Sequence, residues 1–192
     1  MPAGIAGPAA LWMAGVALAA GSPRHVSGPP PGHTGGFGEP TCQACHTGLP
    51  LNDPSSTLEV RGLDGTYRPG HTYAVTIRVD GDIYTRRAGF QAAFRWAAGE
   101  ARGTSAGALR APGPELRVVS DSSGRVRYVA HTEAGVDAPD GHREWTFEWT
   151  APEPAGAISF HVAANAANGD HSPLDDLVYT ASAELRPATG SR

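Results

Sequence analysis

Cysteine and methionine are nearly absent from this sequence of 192 residues. The chain has two cysteines, and its two methionines, Met1 and Met13, both lie close to the amino terminus. Every positive side chain is an arginine, and the formal net charge is -4, so there is no basic field that would attract nucleic acid or anionic lipid. After the first residues, no apolar stretch approaches the ~20 residues of a membrane span. We therefore expect no nucleic-acid partner and no membrane span.

Aromatic residues are also few, at 7%, whereas the chain has 25 glycines and 17 prolines. This composition favours many turns over long helices. The length is sufficient for one sizeable hydrophobic core, so one domain with an N-terminal extension is the expected organisation.

The N-terminal segment predicts export. Residues 9–20 form an apolar run that is too short to span a bilayer but suits a signal peptide, and Ala17-Leu18-Ala19 has the form that signal peptidase cleaves. Lysine and arginine are missing ahead of this run, so a buried apolar helix stays as the alternative. We predict a signal peptide at residues 1–20 and a periplasmic or extracellular mature protein.

Three further regions follow from the composition and patterning. Residues 21–56 form an arm rich in proline and glycine, whose composition alone does not support a folded core. Residues 57–187 carry regular patterning, and residues 188–192 are predicted to be a disordered tail. In the patterned region apolar and polar residues alternate with a period of two, as in Trp145, Phe147 and Trp149 against Glu144 and Glu148.

About eight such segments, separated by clusters of glycine, proline and aspartate, predict an all-β protein. The expected fold is an immunoglobulin-like antiparallel β-sandwich with the tryptophans on its inward faces. The same alternation places Val126 and Tyr128 on an inward face and His131 on an outward one.

The arm contains the motif Cys42-Gln43-Ala44-Cys45-His46, which holds both cysteines of the chain. This spacing is typical of covalent haem attachment, in which two thiols join the porphyrin and the adjacent histidine binds the iron. The sequence therefore predicts one covalent haem c, with Cys42 and Cys45 as attachment points and His46 as the proximal ligand.

Two other chemistries remain open for this motif. Cysteines of exported proteins usually oxidise, so Cys42 and Cys45 alternatively form a disulfide or a thiol-exchange pair. Zinc is the second alternative, although it requires four ligands and the motif supplies three.

The second axial ligand is expected to be a histidine or to be missing. Removal of the signal peptide would remove both methionines, which excludes methionine ligation and favours a lower reduction potential. Seven histidines remain as candidates: His25, His33, His71, His131, His142, His161 and His171. The short arm does not enclose a porphyrin by itself, so an exposed haem edge and a role in electron transfer are expected rather than catalysis.

The segment between residues 165 and 176 contains several oxygen ligands of the kind that calcium binds: Asn165, Asn168, Asp170, Asp175 and Asp176. Its Asn-Gly and Ser-Pro pairs favour an ordinary polar turn between two strands. We expect the turn and keep calcium binding as the alternative.

An ordered set of segments resembles the bacterial choice-of-anchor, Reeler-like proteins. The segments are TGGFGEPTCQACHTG, YRPGHTYAVTIRV, AGFQAAF, YVAHT, WTFEWTAP and NAANGD, and they extend over residues 34–179. The resemblance implies a Reeler-like β-sandwich in an exported protein with an N-terminal haem c motif. It also implies that His131, in YVAHT, lies at a histidine that recurs in the family, which favours His131 as the distal ligand.

These observations give one main hypothesis. The chain is expected to be an exported monohaem c-type protein that exchanges electrons with an extracytoplasmic redox partner, and not an enzyme. The alternative is an extracellular binding or adhesion module with a Cys42–Cys45 disulfide and no haem. A haem-dependent peroxidase or oxygen sensor is a third possibility, which requires an open distal side.

Overall fold

The structure is a computed structural model that describes residues 27–188. The predicted signal peptide, His25 and the last four residues of the predicted tail lie outside the described residues. Within the described range, no helical segment has the length and apolar character of a membrane span.

The described chain is almost entirely strand and turn. Its strands are β1 (Thr47–Gly48), β2 (Thr57–Arg61), β3 (Thr66–Tyr67), β4 (Thr72–Asp80), β5 (Arg87–Trp96), β6 (Ala108–Arg110), β7 (Leu116–Ser120), β8 (Arg127–His131), β9 (His142–Thr150), β10 (Ile158–Ala167) and β11 (Leu174–Pro187). The helical elements are single 3₁₀ turns at Gly36–Gly38, Cys42–Ala44 and Glu133–Gly135.

The strands form two sheets that pack face to face. The larger sheet has the order β1-β11-β10-β5-β8-β7, with β3 also paired to β11, and the smaller sheet has the order β2-β4-β9-β6. The long neighbours are antiparallel, while β1 and β3 pair with β11 in parallel. The predicted all-β antiparallel sandwich is therefore confirmed. The additional strands are β1, β3 and β6, each too short to produce a periodic pattern.

Aromatic side chains from both sheets fill the space between them. Phe94 of β5 stacks on Trp149 of β9, with ring centroids 4.2 Å apart and planes 5° from parallel. Trp145, Phe147 and Trp149 are all buried, as the alternation in β9 predicts. Each such side chain removes ~200 Å² from water, so these aromatic residues contribute strongly to the hydrophobic stabilisation.

Strand β5 is buried on both of its faces. Gln91, Ala93 and Arg95 alternate with the core residues of this strand, and yet each is less than 5% exposed. The arm covers this second face: the His33 amide donates to Gln91 Oε1 at 2.7 Å, and Arg95 forms an ion pair with Glu39. The arm therefore packs on the sandwich from its first described residues onward.

The prediction for the faces of β8 was wrong. Val126 and Tyr128 do not join the main core but form a small separate cluster with Ala93, on the face that the arm covers. Val129 contributes to the main core instead. Because the covered outer face also needs apolar residues, alternation alone did not identify which face of β8 points inward.

Candidate functional site

A cleft of about 280 Å³ opens at one end of the larger sheet. Its walls come from the arm, from the adjoining parts of β5 and β8, and from the turn between β10 and β11. Four predicted site residues line it together: Cys42, Cys45, His46 and His131. Apolar side chains complete the walls, among them Pro29, Pro30, Phe90 and Val136.

The two cysteines are held by a 3₁₀ turn. Thr41 caps the turn by accepting the Gln43 amide proton at 3.1 Å, and the amides of Cys45 and His46 both donate to the Cys42 carbonyl, at 3.1 and 2.9 Å. Cys42, Cys45 and His46 all line the same cleft, an arrangement that the haem hypothesis requires.

Both cysteines are free thiols in the structure. Burial raises the pKa of Cys42 to about 12, an effect to which the neighbouring Cys45 adds. Thiol-exchange proteins instead lower a cysteine pKa to generate thiolate. The environment of Cys42 is thus unfavourable for a thiol-exchange pair.

His46 is anchored through one of its ring nitrogens. Its Nδ1 lies 2.6 Å from Asp176 Oδ2, and the Asp176 side chain is only 1% exposed. The carboxylate contact occupies Nδ1 and leaves Nε2 as the nitrogen available to a metal. A partner of this kind is the usual companion of a metal-binding histidine.

His131 is buried at the end of β8, with 8% of its surface exposed. Its Nδ1 lies 2.9 Å from the Phe90 amide nitrogen and 3.2 Å from the Phe90 carbonyl oxygen. Burial, the main cause, lowers the pKa of His131 to about 4; the hydrogen bond to Phe90 opposes this shift, and the charge of Arg117 adds to it. The ring is therefore neutral at pH 7, which is the form that binds metals.

The other candidate histidines differ in their positions relative to the cleft. His33 and His171 also line the cleft, with His33 Nδ1 3.1 Å from the Pro30 carbonyl. His71 and His142 are exposed. His161 packs edge-on against Phe37, with ring centroids 5.5 Å apart, and is not part of the cleft lining.

Neither the zinc nor the calcium alternative gains support. Among residues 27–188, no group of three or more His, Cys, Asp or Glu side chains is arranged to hold a metal ion. In the turn between β10 and β11, Asn168, Asp170 and Ser172 each accept the amide proton of the residue two positions later, at 2.7 to 3.1 Å. This is the polar turn that the sequence predicts.

The donor set of the cleft fits a haem. A porphyrin supplies four ligands to its iron, so the protein has to provide only one or two, and His46 and His131 are both imidazoles at this cleft. The lining also holds both thiols and several apolar side chains, the residue types that covalent attachment and the faces of a porphyrin need. Asp176, the hydrogen-bond partner of His46, is the main residue of the cleft that the sequence analysis did not identify, since it was considered there only as a calcium ligand.

Comparison with known proteins gives information on the fold alone. No family model matches the chain, and no curated protein matches it. The human F-spondin reeler domain is 20% identical, with a TM-score of 0.45, over 73% of this chain and 95% of that domain. AvmM, which catalyses macrocyclization in alchivemycin A biosynthesis, is 12% identical, with a TM-score of 0.47, over 77% of this chain and 97% of AvmM.

A cohesin module from a family 33 glycoside hydrolase of Clostridium perfringens is also similar. It is 13% identical, with a TM-score of 0.40, over 69% of this chain and 96% of the module. Reeler domains, the fold type that the sequence resemblance implies, are thus among the solved structures to which this chain is similar.

Proposed function

We propose that this chain carries one covalent haem c and exchanges electrons with a redox partner protein outside the cytoplasm. Cys42 and Cys45 would form the thioether links, His46 would be the proximal ligand and His131 the distal ligand. The observation that carries this proposal is that these four side chains, three on the arm and one on β8, line a single cleft.

When bound, a haem supplies a reversible one-electron couple. The role of the protein is then to hold the axial ligands and to exclude water with Pro29, Pro30, Phe90 and Val136. Both methionines of the chain lie among its first 13 residues, so removal of the proposed signal peptide would remove them. Histidine is then the expected axial ligand on both sides of the haem, which favours a low reduction potential.

An exposed route to the site favours electron transfer over enclosed oxygen chemistry. A third of the His46 side chain remains exposed to solvent, so the proximal side of the site reaches the surface. The buried, neutral His131 faces the same cleft, and ligation by this imidazole would close the distal position that a peroxidase or an oxygen sensor needs open.

The experiment is co-expression of the full chain with haem maturation factors, followed by a denaturing gel with haem stain and a pyridine haemochrome spectrum. Haem is expected to stay with the denatured wild-type chain and to be lost from Cys42→Ala/Cys45→Ala. His131→Ala is the matched control, because it keeps both thiols and should retain covalent haem while its low-spin spectrum changes. A colourless wild-type protein would contradict the proposal.

Export is a separate proposal, which rests on residues 9–20 and the Ala17-Leu18-Ala19 cleavage pattern. Amino-terminal sequencing of protein recovered outside the cytoplasm is expected to begin shortly after residue 19. Recovery of an uncleaved chain in the cytoplasm would overturn it.

A binding or adhesion module without haem is the second candidate function. None of the three solved structures described above is named as a haem protein, so the comparisons lie closer to this candidate than to the haem proposal. A colourless exported protein with an intact Cys42–Cys45 disulfide is the result expected if this candidate is correct.

A further inference from the structure

Asp176 is a buried carboxylate with a single side-chain hydrogen bond among residues 27–188. Its Oδ2 lies 2.6 Å from His46 Nδ1, while its Oδ1 is buried and has no hydrogen-bond partner among the described residues. Burying a carboxylate with an unpaired oxygen is unfavourable, so its presence calls for an explanation. The hydrogen bond between Asp176 and His46 supplies this explanation.

The backbone around Asp176 is built to hold this contact. Strand β1 follows His46 directly and pairs with the start of β11, with Gly48 opposite Asp176 and the Thr47 amide donating to the Pro173 carbonyl at 2.8 Å. Asp175 has a φ of 63°, a left-handed conformation that is uncommon outside glycine. The start of β11, which carries Asp176, is thus irregular, and it is held by pairing with the segment that carries His46.

We infer that Asp176 is the positioning residue for the proximal histidine, an inference that rests on the proposed haem function. Its carboxylate accepts the Nδ1 proton of His46, so the lone pair lies on Nε2, the nitrogen left for the iron. The same hydrogen bond makes the imidazole a stronger electron donor. A stronger donor stabilises the ferric over the ferrous state, so Asp176 lowers the reduction potential.

The test compares two neighbouring substitutions in the matured, haem-bearing protein. Asp176→Asn keeps the size of the side chain but removes the carboxylate, and Asp175→Asn removes the same formal charge from an exposed neighbour that does not contact His46. The midpoint potential is measured by optical redox titration. A more positive potential is expected in Asp176→Asn only, with covalent haem retained in both variants.

Two failures are distinguishable. If the wild-type chain holds no haem, the proposed function falls, and this inference falls with it. The inference alone is overturned if haem-bearing Asp176→Asn has the midpoint potential of the wild type. It is also overturned if the midpoint potential of Asp175→Asn rises by as much as that of Asp176→Asn.

A second measurement does not depend on the folding of Asp176→Asn. In His131→Ala the ferrous iron is expected to keep only the proximal histidine, so resonance Raman spectroscopy reports the iron–histidine stretch. The reference is a proteolytic haem peptide that contains residues 42–46 but lacks Asp176. A higher stretching frequency in the protein than in the peptide is expected, and equal frequencies would overturn the inference.

Discussion

At the level of single residues, the position of His131, the proposed distal ligand of the haem, depends on Gly89. A methyl group built on Gly89 would lie 2.4 Å from His131 Cε1 and less than 3 Å from both ring nitrogens. The imidazole therefore packs directly on the bare backbone of β5. Gly89 was not recognisable from the sequence, because the contact joins two strands whose register the sequence does not specify.

Gly89→Ala is predicted to displace the His131 ring and to change the absorbance spectrum of the haem-bearing protein toward that of His131→Ala. Overpacking of this kind also costs about 1–3 kcal/mol of unfolding free energy. Gly156→Ala is the control, since its methyl group would lie 2.7 Å from the Trp96 ring, which is not part of the cleft lining. It should be destabilised without a spectral change; an unchanged spectrum in Gly89→Ala would argue against His131 as the distal ligand.

The buried His131 also predicts a pH dependence of stability for the haem-free chain, prepared as Cys42→Ala/Cys45→Ala. Its pKa is lowered from 6.5 to about 4 on folding, so the unfolded state binds the proton more readily. The contribution of His131 to the free energy of unfolding is then complete above pH 6.5. It is lost as the pH drops toward 4, and the loss amounts to about 3 kcal/mol.

Urea unfolding at several pH values measures this effect. Adding His131→Gln to the haem-free chain should flatten the dependence between pH 4 and 6.5, whereas adding the exposed His142→Gln should not. His161 contributes in the same direction, because burial lowers its pKa too, so some dependence remains. Equal slopes with and without His131→Gln would contradict the prediction.

The proposed site residues that the sequence indicates are those that lie close together in the chain. Cys42, Cys45 and His46 lie within five consecutive positions, so their spacing alone leads to the haem proposal. His131 required the family resemblance. Asp176 lies 130 positions from His46, and only the pairing of β1 with β11 brings the two together.

At the scale of elements, the arm is attached to the sheet by a buried polar cluster. Glu39 Oε1 pairs with Arg95 and accepts the Tyr128 hydroxyl proton at 2.6 Å, while Glu39 Oε2 accepts the Thr34 hydroxyl proton at 2.6 Å. Arg95 also lies over the Phe37 ring, with 5.2 Å to its centroid. The proline and glycine content of the arm predicts a segment without a core of its own. It does not show that the arm binds to the sheet, because that contact depends on residues far away in the chain.

Glu39→Ala is predicted to destabilise the protein by about 3 kcal/mol, because it leaves the buried guanidinium of Arg95 without its partner. Glu148→Ala removes the partner of Arg110, which is 67% exposed, and should change the stability far less, because water screens this pair. Chemical denaturation compares the two variants. Limited proteolysis should cut the arm of Glu39→Ala faster than that of Glu148→Ala, and equal rates would contradict an attachment through Glu39.

At the scale of the whole molecule, the sandwich is stabilised by its own core. Phe94, Phe147 and Trp149 pack between the sheets and are not part of the cleft lining. The fold class was predictable because alternation in the long strands reports burial directly. The burial of both faces of β5 and the inward face of β8 could not be predicted, because the arm covers residues that alternation assigns to solvent.

The haem-free variant Cys42→Ala/Cys45→Ala is therefore predicted to unfold cooperatively, with the same dependence on denaturant as the haem-bearing protein. Trp149→Ala should instead cost about 3–5 kcal/mol with or without haem, since it removes the stacking partner of Phe94. Circular dichroism during urea titration measures both. Loss of cooperative unfolding in the haem-free chain would show that the cofactor is part of the core.

The most direct test of the central claim is mass spectrometry of the matured chain after proteolysis. One peptide containing residues 42–46 is expected to carry a single haem joined through both cysteine sulphurs, with no modification elsewhere. An unmodified peptide from protein matured with a functioning haem-attachment system, or one with Cys42 and Cys45 joined to each other, would contradict it.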